Sequence, residues 1–248
     1  MTTGKGGDGF TLTVLGTDGS YPAPGGACSG YLLQAGGRSV WLDAGPGTMA
    51  NLQLHVGLEQ LDAVVVSHAH PDHWSDLEGL YVAMRYFFNR RGVPVYAPEG
   101  LRSLMAGERP DGTFDWRTVA DGSTAELGPF GFRWSRTDHP VETLACRVDA
   151  MGRSLVYSAD TGTGWELSSL GPGPSLAVVE ASLPPGEEGA MQHLSARQAA
   201  EAALRAGAER LLLSHLGPTV DREQARRLAV AVFGERVDLA EVGKTWQV

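Results

Sequence analysis

The stretch Leu61-Asp-Ala-Val-Val-Val-Ser-His-Ala-His-Pro-Asp-His73 decides how this chain is read. It opens with an apolar run, Leu61 to Val66, of the kind that forms a buried strand and delivers residues at its C-terminal end. What it delivers is His68, His70, Asp72 and His73. Imidazole and carboxylate are good ligands for divalent zinc, iron or manganese, and a strand end that only needed polar residues would not require three imidazoles. His68 and His70, two apart on extended backbone, project to one side and can reach one ion. Asp72 and His73, past the turn made by Pro71, can face a second.

Three more candidates stand where such a site would be completed. His139 follows a strand-like run and precedes Pro140, Asp160 follows Val156-Tyr-Ser-Ala, and His215 ends Leu211-Leu-Leu-Ser. Functional groups in α/β architectures gather at the C-terminal ends of strands, and all three are predicted there. His55 is different. It lies near the end of a short helix, before Gly57, where an imidazole can interact with the last carbonyls, and it is left outside the set.

Around these residues, strand-like and helical patterns alternate. Strands are predicted at Phe10–Leu15, Gly30–Gln34, Ser39–Leu42, Val93–Tyr96, Phe130–Thr137, Leu144–Val148, Ser154–Ser158, Leu176–Glu180 and Arg210–Ser214. Asp76–Asn89 reads as a helix whose stripe is Leu77, Leu80, Tyr81, Met84, Phe87 and Phe88. Ser195-Ala-Arg-Gln198 reads as a capping box with Gly207 at the far end, and Asp221 opens the last helix. Gly107–Gly122, polar with interspersed Pro and Gly, is expected to be a mobile surface loop.

Composition sets outer limits. The chain has 248 residues, enough for one large domain or two small ones with a buried core. Residues 1–9 are expected to be a disordered lead-in, and residues 10–248 one domain. The lead-in has no hydrophobic segment of the signal-peptide kind and no apolar run approaches the roughly 20 residues that span a bilayer, so a cytoplasmic protein is expected with no membrane partner. Its two cysteines, Cys28 and Cys146, do not form a disulfide framework and read as plain buried thiols. With a net charge of −9 and no basic stripe, extended nucleic acid is not expected as a partner, and a small anionic substrate held by metal is not excluded.

The pattern His68-x-His70-x-Asp72-His73, then His139, Asp160 and His215, resembles the metallo-β-lactamase superfamily. The resemblance implies an αββα sandwich of two mixed sheets with helices outside and metals at one edge. It also implies that His68, His70 and His139 hold one metal, that Asp72, His73 and His215 hold the other, and that Asp160 bridges them. Two divalent ions are expected, zinc first, with manganese or iron as alternatives. Gly30-Tyr-Leu-Leu, Leu42-Asp-Ala-Gly-Pro-Gly47, His139-Pro-Val-Glu-Thr, Ser158-Ala-Asp-Thr-Gly162 and His193-Leu-Ser look like the branch containing tRNA 3′-processing ribonucleases and small phosphodiesterases. Asp160 in place of a bridging Cys departs from antibiotic-hydrolysing members. The tRNA-binding arm that many processing ribonucleases carry between the positions of His139 and Asp160 has little room in residues 140–159. The overall likeness is to bacterial atypical class II cyclic-nucleotide phosphodiesterases, although Ala145 and Cys146 replace the usual Gly and aromatic residue.

The expected activity is therefore a dinuclear-metal phosphodiesterase acting on small phosphodiesters such as cyclic nucleotides. Asp72 would help orient the attacking group, and His193 would donate to the phosphate or the departing alkoxide. On residues alone His193 could equally be a loop imidazole anchoring the helix at Ser195. A tRNA 3′-endonuclease, a thioester or lactone hydrolase, and a non-catalytic metal-bearing accessory protein are the competing expectations. Val82 and Tyr86 lie outside the stripe of the Asp76–Asn89 helix and Trp74 precedes it, an apolar excess of the kind that marks an interaction patch. The phosphodiesterases that the chain resembles are commonly dimers, and the resemblance implies a homodimer through this region.

Overall fold

The computed structural model describes residues 9–107 and 111–248, so all but Gly9 of the expected lead-in lies outside the described residues. The first half contains β1 (Thr11–Gly16), β2 (Gly30–Ala35), β3 (Arg38–Ala44), α1 (Thr48–Leu52), β4 (Ala63–Val65), α2 (Leu77–Val82), β5 (Val93–Ala97), α3 (Leu101–Leu104) and β6 (Phe114–Thr118). The second contains β7 (Thr124–Leu127), β8 (Phe130–Arg136), β9 (Leu144–Ala150), β10 (Arg153–Tyr157), β11 (Leu176–Ala181), α4 (Ala196–Arg205), β12 (Leu211–Leu216), α5 (Arg222–Phe233), β13 (Val237–Leu239) and β14 (Thr245–Gln247).

These strands form two seven-stranded sheets, ordered β14-β1-β2-β3-β4-β5-β6 and β13-β12-β11-β10-β9-β8-β7. Each is mixed in the same way. In the first, β14 to β3 pair antiparallel and β3 to β6 parallel. In the second, β7 to β10 pair antiparallel and β10 to β13 parallel. Period-two alternation explains the layers. Leu12, Val14, Tyr31, Leu33, Val40 and Leu42 of the first sheet share one core with Phe132, Trp134, Val148, Leu155 and Val178 of the second. The alternate residues Leu15, Leu32, Trp41 and Val64 pack outward with Leu52, Leu77, Leu80 and Met84. On the far side, Ala177, Val179 and Leu213 meet Ala199, Ala200 and Ala203 of α4 and Ala225 and Ala229 of α5, small residues that let the helices lie close. Helix, sheet, sheet, helix is the expected αββα sandwich. Cys28 and Cys146 are both buried and free, as expected. No helix among the described residues is long and apolar enough to cross a membrane.

Three expectations need correction. The helix drawn over Asp76–Asn89 is α-helical only to Val82 and continues as a π-turn over Ala83–Phe87. That wider turn, closed by Phe88 N–H donating to Ala83 O at 3.0 Å, throws the periodicity out of step, so Phe87 is 79% exposed rather than in the buried stripe. Trp74 is buried, its indole N–H donating to Ala69 O at 3.0 Å, and adds nothing to an exposed patch. The segment predicted as a loop from Gly107 to Gly122 contains β6, which pairs with β5 along all five of its residues. Its alternating Phe114-Asp-Trp-Arg-Thr118 is a sheet-edge pattern that the flanking Gly and Pro obscured.

Candidate metal centre

The sandwich brings the C-terminal ends of β4 from one sheet and β10, β11 and β12 from the other to one edge. His68 and His70 follow β4, and Asp72 and His73 sit on a 3-10 turn begun by Pro71. Asp160 follows β10, and His215 lies within β12 near its end. Gly45 lets this turn close, since a Cβ there would stand 2.1 Å from Asp72 O. Six non-glycine residues have positive φ among the described residues, and four of them, Ser20, Asp43, Ala159 and His215, are at or beside this edge. Strained backbone of this kind persists where the surrounding structure fixes a functional geometry.

All seven candidate ligands converge. One ligand atom from each of His68, His70, His139 and Asp160 lies within 4.8 Å of the others, and the same holds for Asp72, His73 and His215. Asp160 faces both groups. Its Oδ2 is 3.6 Å from His68 Nε2 and 3.9 Å from His139 Nε2, while its Oδ1 is 3.3 Å from His73 Nε2 and 3.4 Å from His215 Nε2. Two ligand atoms about 2.1 Å from one tetrahedral ion stand about 3.4 Å apart, so the spacings suit a shared cation.

The hydrogen bonds fix which nitrogens are free. Asp43, wholly buried, accepts from Ser67 N–H at 2.7 Å, Ser67 Oγ–H at 2.8 Å, Tyr157 Oη–H at 2.7 Å and His73 Nδ1–H at 2.7 Å. With its proton spent on Asp43, Ser67 Oγ accepts from His68 Nδ1 at 3.0 Å. His139 Nδ1 donates to Gln192 O at 3.2 Å, and His215 Nδ1 meets Ser29 Oγ at 2.8 Å. Asp72 Oδ2 accepts from Ser20 N–H at 2.9 Å. His68 and His139 therefore present bare Nε2 lone pairs, each within 3.2 Å of His70 Nδ1. One proton on His70 Nδ1 can serve only one of these two lone pairs well, whereas a cation among the three nitrogens serves all of them. Likewise His73 Nε2 and Asp160 Oδ1 are buried with no hydrogen-bond partner. The donor set fits divalent metal.

Charge follows the same logic. Burial, then the neighbouring His73, pushes the His68 imidazole well below its ordinary value, keeping it neutral and able to ligate. Burial alone would also discharge Asp160, but His215 and His73 outweigh it and hold its carboxyl well below the usual range.

His193 completes the edge. A ring nitrogen of His193 lies within the same 4.8 Å of Asp160 and His215 ligand atoms, while its Nδ1 donates to Glu180 Oε1 at 2.8 Å. Glu180, at the end of β11, also accepts from Thr161 N–H at 2.8 Å and Ser182 Oγ–H at 2.7 Å. Glu180 was not among the residues singled out from sequence, nor were Ser29, Ser67 and Tyr157, and Asp43 was noted only within a motif. A buried acid closing an otherwise apolar strand, Leu176-Ala-Val-Val-Glu180, was the one signal that could have pointed to Glu180.

Comparison with known proteins gives the family. The pattern defining the family described as beta-lactamase superfamily domain matches residues 38–216. A protein of Mycobacterium leprae designated uncharacterized protein ML1173 is 35% identical over 251 residues, covering 96% of this chain and 88% of that one. The probable metallo-hydrolase YhfI of Bacillus subtilis is 30% identical, covering 95% of this chain and 99% of its own length. The YhfI crystal structure superposes with a TM-score of 0.89 at 29% identity, covering 97% of this chain and 100% of that one. Ribonuclease Z of Mycobacterium avium is 29% identical over 266 residues, covering 93% of this chain and 95% of that one. By these matches and the histidine–aspartate cluster, the chain belongs to the metallo-β-lactamase superfamily, in its ribonuclease Z-like branch, and is a metal-dependent hydrolase.

Proposed function

We propose that the chain is a dinuclear phosphodiesterase acting on small phosphodiesters such as cyclic nucleotides, with zinc as its first-choice metal. His68, His70 and His139 would hold one ion, and Asp72, His73 and His215 the other, with Asp160 between them. The observation that carries the reading is that Asp160 turns one carboxylate oxygen to each ligand group while His193, bonded to Glu180, stands beside it. Bound divalent ions would supply Lewis acidity toward water and toward the phosphoryl oxygens. The protein's own part is then position and proton handling. Asp72, oriented by the Ser20 N–H, helps align the attacking group, and His193 gives a proton to the departing alkoxide and is held in one orientation by Glu180.

A tRNA 3′-endonuclease is the second reading, favoured by the similarity to ribonuclease Z. Against it, the stretch where many such enzymes carry an arm is taken up by β9, β10 and the tight Met151-Gly152 turn between them, and the net charge is −9. Long polyanions are poorly served by such a surface. Incubating zinc-loaded protein with bis(p-nitrophenyl) phosphate, cyclic AMP, an acyl thioester and precursor tRNA separates the readings. Cleavage of the first two alone is expected, and cleavage of precursor tRNA at comparable efficiency would overturn the assignment.

Homodimerisation belongs to the same proposal. Val82, Tyr86 and Phe87 are 45%, 61% and 79% exposed, apolar side chains at the end of α2 and on the π-turn that a second copy could cover.

A further inference from the structure

A cavity of about 350 Å³ lies between the Asp18–Pro24 loop after β1 and the Leu216–Val220 loop after β12. Both loops are tied to the ligand cluster. Ser20, whose positive φ is unusual for a serine, donates its N–H to Asp72 Oδ2 at 2.9 Å. Gly19 donates its N–H to Leu216 O at 3.0 Å and lies flat on the His215 ring, where a Cβ would come within 3.1 Å of Cδ2. The cavity is therefore lined by loops that pack directly on Asp72 and His215. Its lining includes Tyr21, Pro24 and Val220, with Asp18 and Arg222 as the charged groups. Tyr21 is 60% exposed, so its ring is accessible to a stacking partner. The volume is near the lower end of small-molecule sites, which run from about 300 to 1,000 Å³, so it admits one ring system and no oligonucleotide.

We infer that this cavity is the binding site for the planar heteroaromatic base of the substrate, with Tyr21 as the stacking wall. The inference rests on the phosphodiesterase reading for the identity of the substrate, while the stacking site itself can be tested by binding alone. It supplies what the metal ligands cannot, discrimination between a nucleotide and any other phosphodiester. Stacking on an aromatic side chain tolerates every base, so the site selects for a base without choosing strongly among them.

The test measures binding of adenosine 5′-monophosphate and of inorganic phosphate to zinc-loaded protein by calorimetry, for the natural chain, Tyr21→Ala and Tyr21→Phe. Tyr21→Ala should weaken the nucleotide by at least about fivefold, the lower end for losing one base stack, and leave phosphate unchanged, while Tyr21→Phe stays near the natural value. Nucleotide affinity indifferent to Tyr21→Ala overturns the inference. So does a parallel loss of phosphate, which would mark collapse of the Asp18–Pro24 loop onto the metal site. Hydrolysis of methyl p-nitrophenyl phosphate, which carries no base, checks the phosphodiesterase reading separately. Its absence in the natural chain would sink that reading while the binding result still decides the cavity.

Discussion

Nδ1 of His193 stands 2.8 Å from Oε1 of Glu180, and this contact sets the charge of the one imidazole at the edge that is not assigned to a metal. Burial works against a charged ring, but Glu180, with Asp160 and Asp72 beyond it, prevails and raises His193 from 6.5 to about 9 in the metal-free protein. A group whose folded pKa is raised adds stability in full below its unfolded value and loses it as pH rises through the folded one. For His193 that window runs from 6.5 to about 9. In chelator-treated protein the His193 ring resonance should titrate near the upper value, and Glu180→Gln should move the midpoint down. A midpoint at or below 6.5 in the natural chain would contradict the role given to Glu180.

Metal removal should be costly to the fold. The cluster places His73 Nε2 and Asp160 Oδ1 in the interior without partners, so it is a poor arrangement when empty and a good one when filled. Two ions per chain are expected by elemental analysis of protein purified without chelators. A ligand at about 1,000 times its dissociation constant stabilises by about 4 kcal/mol, which corresponds to roughly 8–16 °C in Tm for a domain of this size. Scanning calorimetry with and without a chelator reads the difference. A single ion that survives metal supplementation would count against the two-ion site.

Much of this was legible before the fold was known, and the reasons are particular. His68, His70, Asp72 and His73 are local in sequence, so their shared direction follows from backbone geometry near one strand end. His139, Asp160 and His215 could be placed because each stands at the end of a predicted strand, beside the strong local motif. Glu180 and Tyr157 were harder, because each acts through a neighbour distant in sequence, Glu180 on His193 in the loop before α4 and Tyr157 on Asp43 of β3. The exposure of Phe87 was hidden too, because one π-turn at Ala83–Phe87 breaks the period on which helical faces are read.

Tyr157 should govern metal affinity without touching metal. Its Oη–H donates to the Asp43 oxygen that also receives His73 Nδ1–H, and so links the second sheet to a ligand held by the first. Removing a partner of this kind typically costs about 10–100-fold in metal affinity. Tyr157→Phe should weaken zinc toward the lower end of that range and Asp43→Asn toward the upper, both measured by competition with a chromogenic chelator. Affinity unchanged in both variants would show that Asp43 is a structural residue only.

The π-turn patch offers a test of assembly. Phe87→Asp places a charge on a side chain that is 79% exposed, so the fold should be unaffected. If a second copy covers Val82, Tyr86 and Phe87, the natural chain should sediment as a dimer at micromolar concentration and the variant as a monomer. A natural chain that is already monomeric ends the proposal.

The last prediction separates holding metal from doing chemistry. His68 is wholly buried and offers Nε2 to the cluster, so His68→Ala should lower metal content and activity together. His193 keeps one nitrogen on Glu180, and His193→Ala should retain both metals and the fold yet lose turnover. General acid assistance is worth about 10²–10⁴-fold in rate, which bounds the loss. The leaving group sharpens the comparison. A p-nitrophenolate departs with little protonation, whereas the ribose alkoxide of cyclic AMP needs a proton. His193→Ala should therefore be far more impaired on cyclic AMP than on bis(p-nitrophenyl) phosphate. Equal losses on both would assign His193 to phosphate binding, and no loss on either would leave it as a loop imidazole that anchors α4.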